Sequence, residues 1–193
     1  LLFLNNDTEA INPEWLGEML QLCQLPEVGA VGAMLYYPDD TVQHAGVIVG
    51  LGGYAGHSHK YARRGRSGYM FRQACVQELS AVTAACLMMP ARVFDELGGF
   101  DEGFTVAYND VDLCLRVRKA GYSVLFTPYA ELYHYESKSR GSDEKGPAKE
   151  RFAAEQSRLR ERWGQALLHD PFYNPNLTMD REDFSESDIL PKE

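Results

Sequence analysis

The sequence predicts a single α/β domain built on a mixed sheet flanked by helices. Apolar stretches of strand length alternate along the chain with segments of helical periodicity, and no internal repeat is present. The length of 193 residues suits one domain or part of a larger one. Hydrophobic residues make up 45% of the chain and charged residues 24%, which excludes collagen-like, coiled-coil and largely disordered proteins.

Strands are predicted where apolar residues run between turn-forming residues. The predicted strands are residues 1–4, 28–37, 42–51 and 122–127, with a further buried apolar segment at 82–89. Pro38-Asp39-Asp40 predicts a hairpin-like turn between the second and third strands, and Pro128 is expected to end the last one.

Helices are predicted where apolar residues recur every three or four positions. The predicted helices are residues 13–25, 90–97, 109–120 and 147–163. Pro90 and Pro147 stand where proline is favoured, at the first helical position, and glycines follow the second and third helices. We expect Asn109 or Asp110 to cap the third helix.

The remaining segments read as loops and a tail. Residues 52–68 contain five glycines and several basic residues, which predicts a mobile basic loop, and residues 137–146 are polar and loop-like. We therefore expect one domain over residues 1–169. Residues 170–193, acidic and containing three prolines, are expected to form an extended and partly disordered tail.

Charge and cysteine usage narrow the function classes. The formal charge of −9 argues against nucleic acid as the principal partner, because such binding depends on neutralising phosphates. The four cysteines form no CxxC pair and lie among apolar neighbours, which favours buried free thiols in a reducing compartment. The longest nearly apolar run, residues 79–89, is too short to cross a bilayer. We expect a cytoplasmic protein, with attachment to the inner face of the membrane left open.

The first four residues form an apolar run of buried-strand character that begins without a preceding turn. A strand buried on both faces needs neighbours in its sheet. We therefore expect further strands of the same sheet to precede residue 1. Apolar surface left where such strands are missing would also favour a homodimer.

Three polar clusters follow apolar strands or open helices. They are Asn5-Asn6-Asp7, Asn109-Asp110-Val111-Asp112 and Tyr133-His134-Tyr135-Glu136. Each has an ordinary structural explanation as a turn, a helix cap or a hydrogen-bonded histidine. In α/β sheets, however, ligands gather at the carboxyl ends of strands, and Asp7 directly follows the first strand.

Four linked motifs resemble the second half of the catalytic domain of a family 2 glycosyltransferase, which has the GT-A fold. LLFLNNDTE at residues 1–9 resembles a strand that ends in a DXD-type motif, and AACLMMPARVFDELGGFDE at 84–102 resembles the acceptor-side strand, helix and turn. YNDVDLCLR at 108–116 resembles the EDVDLCLR helix start, and AGYSVLFTPYAELYHYES at 120–137 resembles the following strand and histidine segment. The missing strands would then be the nucleotide-binding half.

The resemblance implies a nucleotide-sugar donor and a divalent cation. Asp7 matches the last position of the DXD-type motif and would bind Mn²⁺ or Mg²⁺, with His134 completing the ligand set. Asn5, Asn6 and Asp7 would bind the donor. Asn5 replaces the usual acidic first residue, so it adds no charge, and metal affinity is expected to be weak without donor.

The resemblance also implies an inverting transfer to a glycan or lipid-linked glycan acceptor, with Asp110 as the general base. A helix N-terminus favours the charged carboxylate that this role requires. Asn109 stands where a glutamate is usual. Asp112 cannot share the direction of Asp110 on a regular helix, so it receives an acceptor-binding or structural role. Asp101 and Glu102 are expected to bind acceptor hydroxyls or to form a solvated turn.

Several alternatives stay open at this point. A non-catalytic carbohydrate-binding or assembly module would keep the scaffold without transfer, whereas metal-dependent phosphodiester hydrolysis needs more ligands than these motifs supply. His57 and His59 with nearby arginines would form a phosphate clamp, a surface metal site or an ordinary loop. Lys138, Arg140 and Lys145 would close over the diphosphate. The isolated chain is expected to show little activity.

Overall fold

The computed structural model describes residues 1–135 and 146–187, and within them nine strands and four helices form. The strands are β1 (Leu2–Leu4), β2 (Thr8–Ala10), β3 (Val28–Tyr36), β4 (Val42–His44), β5 (Val47–Val49), β6 (Ala55–His57), β7 (Gln77–Glu78), β8 (Cys86–Met88) and β9 (Ser123–His134). The helices are α1 (Trp15–Cys23), α2 (Ala91–Glu96), α3 (Asn109–Lys119) and α4 (Pro147–Trp163). The four predicted helices are thus confirmed, with small differences at their ends.

Seven strands form one mixed sheet. Its order is β1-β8-β3-β9-β2, with β4 paired to β3 and β7 paired to β9. The two central strands β3 and β9 are parallel, whereas their other neighbours are antiparallel. β5 and β6 form a separate antiparallel pair. The mixed sheet confirms the fold class predicted from the sequence.

β3 is buried along its whole length because helices cover both faces of this sheet. Val31 and Leu35 face one side, where Met19 of α1 is fully buried with them. Ala30 and Met34 face the other side, in a larger core with the buried residues of α2, α3 and α4. Alternate residues of one strand therefore serve two cores, as the period of two requires.

The strand that carries His134 is longer than predicted. The expectation that it ends at Pro128 is wrong, because β9 continues for six more residues. Thr127 and Glu131 pair with consecutive residues of β3, so the intervening residues bulge out of the ladder. A proline is tolerated in such a bulge because no ladder N–H is needed there. The continuation brings His134 to the same end of the sheet as Asp7.

The predicted strand 42–51 is divided between the main sheet and the β5–β6 pair. Gly46 lies at the division with φ of 96°, and a Cβ there would approach Leu79 Cδ1 to 2.1 Å. Only glycine fits both conditions without strain. The segment 52–68, expected to be irregular, contains β6 and buries the side chains of Ser58 and His59.

Helix and strand ends differ in detail from the expectations. Pro90 precedes α2 with extended backbone instead of occupying its first turn, and Tyr108 precedes α3 with φ of 62°. β1 lies at an edge of the sheet, with Leu2 and Leu4 exposed.

Residues 170–187 pack against the β5–β6 pair as a folded strap. The buried Asp170 carboxylate accepts hydrogen bonds from Val49 N and Ser80 Oγ. Leu177 and Glu186 form an antiparallel bridge, so the segment folds back instead of extending. The acidic composition suggested an extended tail, but aromatic and aliphatic side chains of this segment form a small core with Ile48 and Leu51.

The cysteines are free, and three of them are buried as expected, but Cys75 is exposed. Burial raises the pKa of the Cys86 and Cys114 thiols to about 12, so these two are unreactive at neutral pH. In the described part of the chain, no helix is long and apolar enough to cross a membrane.

Candidate active site

Residues of all three predicted polar clusters line one cleft of about 660 Å³. Its walls come from the turn after β1, the segment before β8, the loop before α3, the end of β9, and α4. The lining includes Asn5, Asn6, Asp7, Gln43, His57, Thr83, Ala84, Ala85, Tyr108, Asn109, Asp110, His134 and Phe152. The donor-binding, metal-binding and base residues expected from the sequence therefore lie together.

Asp7 and His134 face each other at one side of the cleft. Thr8 pairs with His134 in the β2–β9 ladder, and Tyr135 N donates to Asp7 O at 2.9 Å, so the backbone fixes this approach. Asp7 Oδ1 lies 3.3 Å from His134 Nε2, and Asn5 Nδ2 lies 3.1 Å from the same nitrogen. Both candidate metal ligands predicted from the sequence are thus in contact.

Gln43 on β4 determines which ring nitrogen of His134 carries the proton. Gln43 Nε2 donates to His134 O at 3.2 Å, so its amide oxygen is the atom that faces the ring. His134 Nδ1 lies 2.7 Å from that oxygen and must donate to it. In the neutral ring, Nε2 is then unprotonated and directs its lone pair at Asn5 and Asp7.

A divalent cation fits this donor set. The Nε2 lone pair and the Asp7 carboxylate are both electron-pair donors, and a cation between them turns a repulsive contact into coordination. Their 3.3 Å separation is near the roughly 3.0 Å between adjacent ligands of an octahedral cation with bonds of about 2.1 Å. Among the described residues, no three His, Cys, Asp or Glu side chains cluster for a metal.

Asp110 lies in the first turn of α3 with both carboxylate oxygens oriented by backbone N–H groups. Oδ2 accepts from Ala84 N at 3.1 Å, and Oδ1 accepts from Val111 N at 2.8 Å. Asn109 Oδ1 in turn accepts from Asp110 N at 2.7 Å. Each carboxylate oxygen has a second lone pair, so Asp110 can still accept a proton in the cleft.

Two adjacent residues connect the turn after β1 to Asp110. Ala84 N donates to Asp110, and Ala85 O accepts from Asn5 N at 3.0 Å. The segment that contains them is further held where Val47 N donates to Ala81 O at 2.9 Å. The two halves of the site are therefore positioned by one short stretch of chain.

The three predicted acceptor-binding residues lie outside the cleft lining. Asp112 is fully buried, and its oxygens accept hydrogen bonds from Arg116 Nε and Trp163 Nε1, both at 2.8 Å. This placement fits the structural alternative expected for Asp112. Asp101 accepts from Arg158 and Arg162 on α4, and Arg158 lowers the pKa of its carboxyl.

Glu102, the third of these residues, is exposed on the turn after α2. Lys138, Arg140, Lys145 and Glu136 lie outside the described residues.

Two histidines at the cleft were not predicted to interact. His44, fully buried, accepts from Thr83 N through Nε2 at 3.4 Å, so its Nδ1 carries the proton. That Nδ1 lies 3.0 Å from Nδ1 of His57 and donates to it. His57 therefore carries its own proton on Nε2. Burial, with the nearby His57 and His134, lowers the pKa of His44 well below its ordinary value.

The loop before α3 is held by an unexpected carboxylate on α4. Glu155 is only 3% exposed, and it accepts hydrogen bonds from Thr105 Oγ1 at 2.9 Å, Val106 N at 2.8 Å and Ala107 N at 3.1 Å. Beside this loop, the ring of Tyr108 stacks on Phe152 with centroids 5.8 Å apart. A charged residue at an inward position of α4 was the available sequence signal for Glu155.

The mixed sheet flanked by helices is consistent with a glycosyltransferase domain of the GT-A type. The family profile described as "Glycosyltransferase like family 2" matches residues 1–166. The chain belongs to this family, as the four motifs implied.

Three curated proteins are similar to the chain. It is 50% identical over 182 residues to the uncharacterized protein y4gI of Sinorhizobium fredii, and 42% identical over 186 residues to the O-antigen biosynthesis protein RfbC of Myxococcus xanthus. These matches cover 94% and 95% of the chain. An N-acetylglucosaminyl-diphospho-decaprenol L-rhamnosyltransferase of Mycobacterium tuberculosis is 37% identical over 62 residues, or 32% of the chain.

The chain spans a small share of the length of these relatives. The matched region is 20% of y4gI, 14% of RfbC and 20% of the rhamnosyltransferase.

Proposed function

We propose that the chain carries the catalytic and acceptor side of an inverting glycosyltransferase that moves a sugar from a nucleoside diphosphate sugar to a hydroxyl of a glycan. The observation that supports this most is the convergence of Asp110 with the Asp7–His134 pair in one cleft. The names of two relatives, one for O-antigen biosynthesis and one for a rhamnosyltransferase, support a polysaccharide or lipid-linked glycan as acceptor.

The transfer step uses Asp110 as the base. The acceptor oxygen attacks the anomeric carbon from the face opposite the diphosphate, and its proton passes to a carboxylate oxygen of Asp110. The bond between the anomeric carbon and the diphosphate oxygen breaks with its electron pair, so the configuration inverts. The N–H groups of Ala84 and Val111 orient the base throughout. A positioned base of this kind contributes about 10²–10⁴ in rate.

The donor side is held by the turn after β1. Asn5 and Asn6 line the cleft where they can bond nucleotide oxygens, and Asp7 and His134 would hold Mn²⁺ or Mg²⁺. When bound, this cation neutralises charge on the departing diphosphate. The free thiols of the chain support a cytoplasmic location, where nucleotide sugars and reduced cysteines occur together.

The test is Asp110→Asn in the protein that carries these 193 residues. We expect kcat to fall by at least about 10², with donor affinity nearly unchanged, because the amide cannot take the proton. Asp95→Asn, an exposed carboxylate on α2 away from the cleft, is the matched control and should leave kcat unchanged. Normal transfer by Asp110→Asn would remove Asp110 from the mechanism.

A non-catalytic carbohydrate-binding module is the second candidate. It is favoured by Asn5 and Asn109, which replace acidic residues of the motifs that the sequence resembles. The same assay distinguishes the two candidates, since a binding module would bind glycan but release no nucleoside diphosphate from any nucleotide sugar offered with Mn²⁺. Asp110→Asn would then leave glycan binding unaltered.

A further inference from the structure

A long segment beside the cleft has no acidic residue. Residues 41–77 contain five cationic side chains, Lys60, Arg63, Arg64, Arg66 and Arg72, and no Asp or Glu. The remaining residues carry a formal charge of −14, because this segment supplies +5 of a total of −9. The segment is therefore net positive, whereas the remainder of the chain is net acidic.

The same region exposes large apolar side chains. Met70 is 78% exposed, Phe71 65% and Tyr61 63%, which are high fractions for side chains of this size. Met70 and Phe71 stand together at the tip of a 3₁₀ turn over Tyr69–Phe71. We call the turn residues 68–72, with Arg63 and Arg66, the basic–aromatic tip.

The exposure of the tip is built into the fold. Met70 and Phe71 have φ of 49° and 61°, a left-handed backbone that is unfavourable for non-glycine residues and persists only where surrounding structure enforces it. Tyr69 N donates to His59 Nε2 at 3.2 Å, which fixes the base of the turn. Phe184 of the strap stacks on both rings, 4.3 Å from His59 and 5.1 Å from Tyr69.

Two arginines of the tip keep their charge available. Arg64 is paired with Glu131 and Asp40. Arg63 and Arg66 are exposed, and within residues 1–135 and 146–187 neither makes an ion pair. Exposed guanidinium groups and exposed apolar side chains on one short segment are the combination that an anionic lipid surface recognises through phosphates and acyl chains.

We propose that the basic–aromatic tip docks this chain on an anionic phospholipid membrane. Met70 and Phe71 insert at the level of the headgroups, and Arg63 and Arg66 bind lipid phosphates. The acidic remainder of the chain is repelled by the same surface, so only one orientation is favourable. Lipid phosphates rather than free phosphate are the partner because the most exposed side chains of the tip are apolar.

This docking would place the cleft close to the membrane. Tyr61 N donates to Val42 O at 2.8 Å and Val42 N donates to Ala62 O at 2.7 Å, so the residues just before Arg63 of the tip pair with β4. The next residue of β4 is Gln43, which lines the cleft. An acceptor carried on a lipid would then lie within reach, a consequence that rests on the proposed function, whereas the docking itself does not.

The test uses vesicles and no sugar substrate, so it is independent of transfer. Cys75, the exposed cysteine, follows the tip and accepts an environment-sensitive fluorophore while the three buried cysteines do not. Vesicles of phosphatidylcholine with about one-third phosphatidylglycerol should bind the labelled chain, shift its emission to the blue and release it in high salt. Pure phosphatidylcholine vesicles should bind it far less.

Two variant pairs identify the residues involved. Met70→Ser with Phe71→Ser should lower vesicle binding by at least about tenfold, whereas Leu168→Ser, 75% exposed elsewhere, should not change it. Arg63→Gln with Arg66→Gln should lower it by about thirtyfold, at about fivefold for each cation. Arg181→Gln, exposed in the strap, is the charge control. Unchanged circular dichroism and thermal midpoints establish that these surface variants fold.

Three results would overturn the proposal. The first is equal binding to neutral and anionic vesicles, or binding that the tip variants leave unchanged. The second is a dimer in sedimentation that Met70→Ser with Phe71→Ser dissociates, which makes the tip an interface between copies. The third is displacement from vesicles by millimolar inorganic phosphate, which makes it a free-anion site.

Discussion

Gln43 clamps His134 through both ends of its amide, accepting from the ring at Nδ1 and donating to the backbone oxygen of the same residue. This pairing leaves Nε2 as the nitrogen presented to Asp7. Partners that orient a metal-binding histidine are commonly worth a factor of 10–100 in metal affinity. The clamp therefore predicts that Gln43 affects metal affinity through the ring of His134.

We expect Gln43→Leu to weaken Mn²⁺ binding by about 10–100-fold, measured by electron paramagnetic resonance with inorganic pyrophosphate as the diphosphate. The leucine neither accepts from Nδ1 nor donates to the backbone, so the ring is free to turn. Gln21→Leu, an exposed glutamine on α1, is the control and should bind Mn²⁺ normally. Equal affinities for the two variants would contradict a metal role for His134.

The His44–His57 pair predicts two fixed tautomers. Nitrogen-15 NMR should show His44 protonated at Nδ1 and His57 protonated at Nε2. The reason is that Thr83 N donates to His44, which in turn donates to His57. Since burial lowers the pKa of His44 well below 6.5, its nitrogen shifts should stay constant from about pH 8 to pH 5. Titration of His44 within that window would disprove the assigned donor order.

Substitution of Glu155 should destabilise the protein, whereas substitution of an exposed glutamate on the same helix should not. In Glu155→Gln an amide NH₂ replaces one of the oxygens that accept from the loop before α3, which should lower the free energy of unfolding by about 1–3 kcal/mol. Glu161→Gln, exposed on the same helix, should change it by less than about 0.5 kcal/mol. Urea denaturation of the two variants makes the comparison, and similar midpoints would refute the role of Glu155.

His59 predicts loss of stability in mild acid. Burial, with a contribution from Arg72, lowers its pKa to about 4 from an ordinary value of 6.5. Between these values the unfolded chain binds a proton that the folded chain refuses, so stability that is complete above pH 6.5 is lost as the pH falls toward 4. As the pH falls from 7.5 to 5, protonation of this residue in the unfolded chain should lower the free energy of unfolding by about 2 kcal/mol.

Unfolding in urea at the two pH values checks the effect. In His59→Gln the amide oxygen can still accept from Tyr69 N, but no proton is taken up on unfolding. The pH dependence of this variant should therefore be smaller than that of the wild type by about the same 2 kcal/mol. Identical pH dependence would mean that His59 is accessible to protons in the folded state.

Local patterns predicted much of the fold. Helical spacing located α1 and α4, and glycines with positive φ end α2 and α3 as expected. Pro128 misled because a proline normally ends a strand, and the bulge that accommodates it depends on the pairing of β9 with a distant β3. Non-local pairing of this kind leaves no mark in a window of neighbouring residues.

The same distinction separates the parts of the site. Asp7, Asp110 and His134 were recognisable because each belongs to a motif that follows or opens an element. Gln43 reaches the cleft because β4 pairs with β3, and His57 reaches it because β6 pairs with β5. Neither β4 nor β6 carries such a motif. The one signal available for Gln43 was its position as a polar residue in a predicted buried strand, beside His44.

The peptide units of Ala84 and Ala85 have a mechanical consequence. Ala84 N donates to Asp110 and Ala85 O accepts from Asn5 N, and the two Cα atoms are separated by a fixed covalent distance of about 3.8 Å. In the proposed transfer, this short covalent link would hold nearly constant the span between Asp110 and the turn that carries Asp7.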